Sequence, residues 1–149
     1  MDHHRVPAPR GADRRPPGVD DATVAGVGKL TEALETIERA RGHLYAMHQL
    51  TGCADAMLDE AVRLLREAGH HTVAEAVQRR LVGRNVVDGR WTYQLVEEYD
   101  DGYYAEFRAL ERHAREELLG GVRHAYESAM KEERRSAGEP GHEAHPPHR

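Results

Sequence analysis

From Leu30 to Ala68 the apolar residues recur at three- and four-residue steps, and the phase never breaks. Leu30, Ala33, Leu34, Ile37, Ala40, Leu44 and Met47 lead into Thr51, Ala54, Leu58, Ala61, Leu65 and Ala68. This is the stripe of an amphipathic α-helix; a half-buried strand would alternate every second residue instead. The spacing predicts one long helix over residues 29–68. Gly52 lies inside it at a cost of roughly 1 kcal/mol relative to Ala, and marks where a kink or break would fall.

A second long helix is expected from around Thr92 to about Arg135, its stripe running through Leu95, Val96, Tyr99, Tyr103, Phe107, Leu110, Ala114 and Leu118, then Val122, Ala125 and Ala129. Gly102 and the pair Gly120-Gly121 weaken it, and the pair is the candidate for a bend. Glu111 with Arg115 and Arg112 with Glu116 read as pairs on the exposed face, each contributing a few tenths of a kcal/mol.

Between the stripes, Gly69 is a helix stop. Thr72 and Glu75 match a capping box, in which each side chain satisfies a free backbone N–H of the other residue. That box opens a short helix carrying Val73, Ala76, Val77 and Leu81, ending near Gly83. Asp88-Gly89 then gives a tight turn of hairpin type.

These elements predict an all-α chain: an antiparallel hairpin of two long helices with a short helix in the connection. Leu, Val, Ile and Phe together make 26 of 149 residues, below the roughly 20% at which a charged chain struggles to fold alone. One hairpin buries one narrow seam, so two are expected to pair as a homodimer with a four-helix core. Residues 1–27, with Pro7, Pro9, Pro16 and Pro17, read as a disordered arm; 28–135 as the helical domain; and 136–149 as a disordered His/Pro-rich tail.

The net charge of −5, with Arg scattered rather than clustered, argues against a nucleic-acid partner. No stretch nears the roughly 18 apolar residues of a membrane span, and the first thirty residues lack the apolar core of a signal peptide. A single cysteine, Cys53, rules out an internal disulfide framework and suits a reducing compartment. The expected location is cytoplasmic.

Two constellations could carry chemistry. The stretch Trp91–Phe107 packs six of the eight aromatic residues with five carboxylates and no basic residue. On a helix, Tyr99, Tyr103 and Phe107 belong to the apolar stripe, and the acids lie on its flank. Glu97, Glu98, Asp100, Asp101 and Tyr104 are then the candidate interaction surface, suited to a basic protein partner.

The second constellation depends on register. If the long helices face each other symmetrically about the linker, His48 falls level with His113, and His43 with Glu117. His43, His48, Glu106, His113 and Glu117 would then be candidate ligands for iron, manganese or zinc, with imidazole nitrogen and carboxylate oxygen as donors. Spacing opposes a bridged-carboxylate centre, because no Glu-x-x-His pair occurs on both helices. Glu67 with His70 fits that spacing once, across a helix end where capping is the simpler role. His142, His145 and His148 form a tail that binds metal weakly. Cys53 has nothing in its sequence context to lower its pKa.

Two functions follow as expectations. One is a non-enzymatic helical homo-oligomer that acts through its surface, with no cofactor. The other is a helical-bundle metalloprotein with oxidative or hydrolytic chemistry.

Overall fold

A computed structural model describes residues 15–143. They form five α-helices and one π-helical turn: α1 Asp21–Glu67, α2 His71–Arg80, α3 Thr92–Tyr99, the π turn Asp100–Tyr104, α4 Ala105–Leu119 and α5 Ala125–Arg134. No strand forms among the described residues; Val87 and Arg90 make an isolated antiparallel bridge across the Asp88-Gly89 turn. No helix among them is long and apolar enough to cross a membrane.

α1 runs unbroken through Gly52. It also begins earlier than the stripe suggests, so the expected arm over 1–27 is shortened; residues 1–14 of that arm lie outside the described residues. The cause is local. Asp20 accepts the Thr23 backbone N–H at 2.7 Å, which satisfies one of the free donors of the first turn, and hydrogen bonding from the Thr23 hydroxyl, with that backbone bond second, holds the Asp20 carboxyl below its ordinary range. Arg15 pairs with Asp21 in front of it. The rich Pro, Gly and Arg content of this region hides a helix start that Asp20, Val24 and Val27 encode.

The contacts divide the chain into two compact units, 1–35 with 107–149 and 36–106. In the first unit Val24, Val27, Leu119 and Ala125 are buried together, with Val19 and Val122 packed against them. The expected bend at Gly120-Gly121 is a complete break. Both glycines take positive φ, a conformation that ends a helix and costs glycine little. The chain then re-enters a helix at α5, whose Tyr126 lies 3.2 Å from where a Cβ on Gly28 would stand.

In the second unit α1 ends in a Schellman motif: the His70 N–H reaches the Leu65 carbonyl at 2.8 Å, and the Gly69 N–H reaches Arg66 at 3.0 Å. The chain reverses there. Arg66 pairs with Glu75, the Asp55 carboxylate accepts the Gly83 N–H, His48 bonds Thr92 and Arg41 bonds Asp100. As one residue number falls the other rises, so these segments run in opposite directions about Gly69–His70. The short helix α2 therefore lies along the end of α1 instead of bridging two longer helices. The expected capping box is not made: His70 is the residue before α2, and Glu75 is drawn to Arg66 at 2.7 Å. α3 begins with the Trp91 N–H donating to Gln94 Oε1 at 2.7 Å.

The π turn corrects the second stripe. A π turn holds one residue more than an α turn, so the face of everything behind it slips by one position. Before it, Val96 is buried as the spacing predicts, and Thr92 is buried with it. Behind it, Leu110 (54% exposed) and Leu118 (50%) point outward, whereas Glu111 (6%) and Leu119 (3%) are buried. Glu111 and Arg115 are thus an inward-facing pair, not the surface pair expected.

Candidate functional site

The most densely interacting cluster of the second unit gathers at the π turn. Arg41, on α1, presents its guanidinium edge-on to Asp100: Nε to Oδ1 at 2.7 Å and Nη2 to Oδ2 at 2.9 Å. This two-bond geometry is the strongest an ion pair can take. It pulls the Asp100 carboxyl below its usual range, against the smaller opposing effect of partial burial, and raises Arg41 further above its own.

The same guanidinium lies 5.6 Å from the Tyr45 ring centre and 5.7 Å from that of Tyr104, a distance at which the ring face attracts a cation. Tyr104 in turn stacks on Tyr99 with an interplanar angle of 16°, and Tyr103 packs obliquely on Tyr99. One cation, one carboxylate and four tyrosines thus form a continuous cluster across α1, α3 and the π turn. The sequence places the tyrosines and the acid together. It gives no sign of Arg41, which is 59 residues away from Asp100.

The candidate interaction surface therefore changes character. Asp100 is engaged by Arg41, and Glu98 by Arg90 at 2.6 Å. Tyr104 is half-buried in the tyrosine cluster. Glu97 and Asp101 are exposed and form no ion pair with a described residue.

The candidate metal ligands are spread out. His43, His48 and Glu106 belong to the second unit, and His113 and Glu117 to the first. His43, Glu106, His113 and Glu117 are exposed. The premise that set His48 level with His113 is corrected by the reversal at Gly69–His70: His48 Nδ1 shares a 2.8 Å hydrogen bond with the buried Thr92 hydroxyl. Among the described residues no three His, Cys, Asp or Glu side chains stand close enough to hold a metal ion. His142 belongs to a turn, its Nδ1 accepting the Ser136 N–H, while His145 and His148 lie outside the described residues.

Beside the His48–Thr92 bond is a small cleft of about 80 Å³, lined by Thr51, Gly52, Asp55, Gly83, Arg84, Val86, Trp91 and Thr92. It has room for only a few atoms, and the Asp55 carboxylate in its wall is occupied by the Gly83 N–H.

On the other side of α1, a second apolar row was overlooked in the spacing. Leu50, Met57 and Leu64 stand seven residues apart, with Ala46 one turn before Leu50 and the exposed Cys53 between Leu50 and Met57. Leu50 is 69% exposed and Met57 70%. A seven-residue period was visible in the sequence, but the stronger three-and-four stripe of the opposite face masked it.

Compared with protein-family models, curated proteins and solved structures, the chain matches none.

Proposed function

We propose that the protein works by association: a helical hairpin that pairs with a second copy into a four-helix, homo-oligomeric interaction module. One observation carries this reading. Among the described residues seven hydrophobic side chains are buried, six of them only Val or Ala, whereas fifteen large hydrophobics are exposed.

The counts matter because of what each side chain is worth. Burying a Leu or Met side chain contributes roughly 1.5–3 kcal/mol, so Leu50, Met57, Leu64, Leu110 and Leu118 represent a large unused driving force. Contiguous exposed apolar surface on a soluble chain marks a surface of contact. The acidic stretch contributes less than its composition promises. Two of its four candidate acids already have arginine partners within the chain, so a basic partner would meet Glu97 and Asp101.

Sedimentation equilibrium across the micromolar range is the test. Mass at twice that of the chain, falling on dilution, is the expected result; a stable monomer throughout would refute the proposal.

A further inference from the structure

We infer that the self-association proposed above is made through one face of α1: the row Ala46, Leu50, Cys53, Met57 and Leu64 packs against the same row of a second copy. The inference presupposes that association and adds the surface that forms it.

Three observations select this face and its occupant. First, the row is exposed where it should not be. Leu50 and Met57 are among the most accessible large apolar residues of the chain, at 69% and 70%, and Leu64 is half exposed. All three belong to a regular, continuous helix, so neither a loop rearrangement nor fraying will cover them.

Second, the row carries little unpaired charge. In a chain with 32% charged residues, Asp55 is the one charged residue between positions 46 and 58, with its carboxylate turned to the Gly83 N–H, and Glu60, the acid on the row between Met57 and Leu64, is paired with Arg63. A charged partner has nothing to read there, whereas an identical neutral face suffers no like-charge cost.

Third, the spacing is that of helix-on-helix packing. Large residues at seven-residue intervals stay on one line only when helices coil around each other, each knob entering a hole on the facing helix. Here the same face supplies both parts: Leu50, Met57 and Leu64 as knobs, with the small residues Ala46 and Cys53 beside them. A shallow groove already runs between Ala46, Leu50, Cys53 and Ala56. A surface carrying both knobs and holes is self-complementary, which is the requirement for a two-fold interface.

Cys53 reports on this face directly. Its thiol is exposed in the single chain and would be covered in the pair. The experiment measures the alkylation rate of Cys53 by iodoacetamide as the full-length protein is concentrated through its association range, alongside sedimentation of wild type and of Leu50→Glu/Met57→Glu. Both substituted positions are exposed, so helicity by circular dichroism should be unchanged.

The expected result is alkylation slowed at least tenfold in the associated wild type, and a double variant that sediments as monomer with fast alkylation at every concentration. If wild type associates but Cys53 stays equally reactive, or the double variant still associates, this face is not the interface while the association itself stands. If wild type never associates, both proposals fall together.

Discussion

Glu111 offers the sharpest test of how the first unit is held together. Its side chain is buried; it accepts a hydrogen bond from the Thr31 hydroxyl at 3.1 Å and one from Arg115 Nε at 3.1 Å. Arg115 also donates to the Gly121 carbonyl at 3.2 Å, tying the charge pair to the break that follows α4. Removing one partner of a fully buried ion pair costs about 3–5 kcal/mol, because the other charge is left without compensation. Arg115 retains 14% exposure, so in Glu111→Ala it can turn partly to water. Thr31 keeps an alternative acceptor in the Val27 carbonyl. The expected loss is about 2–3 kcal/mol.

The converse variant should cost more. Arg115→Ala strands the less exposed carboxylate, and about 3–4 kcal/mol is expected on the same grounds. The double variant Glu111→Ala/Arg115→Ala leaves neither charge unpaired, so its loss should fall short of the sum of the two single losses. Urea unfolding at one fixed protein concentration measures all four corners of the cycle, with a coupling of at least about 1 kcal/mol anticipated for groups in contact. Additive single effects, or a Glu111→Ala loss below about 0.5 kcal/mol as at ordinary surface sites, would refute the buried pair.

Two further outcomes follow from particular atoms. A Cβ at Gly52 or Gly42 meets nothing within 4 Å, so Gly42→Ala and Gly52→Ala should each stabilise the helix by about 0.5–1 kcal/mol; Gly28→Val, pressed against Tyr126 at 3.2 Å, should instead destabilise by roughly 1–3 kcal/mol, all read from urea midpoints. The Asp100 carboxyl is depressed by Arg41, so its folded pKa lies below the unfolded value of about 3.9. Its contribution is therefore complete above that value and is lost as pH falls through the folded pKa. Urea midpoints measured from pH 5 downward should fall less steeply below pH 4 in Asp100→Asn than in wild type, and parallel curves would contradict the pairing.

Much of α1 was legible because one period holds over most of its length, and a single Gly52 cannot end a helix that its neighbours keep in phase. Its first turns were not, because Pro16, Pro17 and Gly18 dominate the composition while the signal is one capping side chain, Asp20. The second stripe was legible only as far as Tyr99. Nothing in Asp100–Tyr104 announces an extra residue in the turn, so Leu110 and Leu118 were assigned to the inside when Glu111 and Leu119 hold that place.

Register was lost for a related reason. Composition says that residues 69–91 connect two helices, but not that α2 folds back beside the end of α1, and that choice decides whether His48 meets His113 or Thr92. At the candidate site the tyrosines and acids were readable as a cluster. Arg41, which organises them, was one arginine among nineteen.

The π turn at Asp100–Tyr104 also changes what a difference in length would mean for this protein. Insertions and deletions are ordinarily absorbed by loops, where they alter reach and leave packing alone. Here an added residue is carried in the middle of a helical run. Deleting one of the five would let α3 and α4 join as regular helix without turning α4, because the residue lost is the one the wider turn absorbs. Closing the turn to α geometry at full length would instead turn α4 by about 100° about its axis and bring Leu110 and Leu118 to where Glu111 and Leu119 now stand. α4 is thus written with two faces, and the width of the one turn in front of it selects between them.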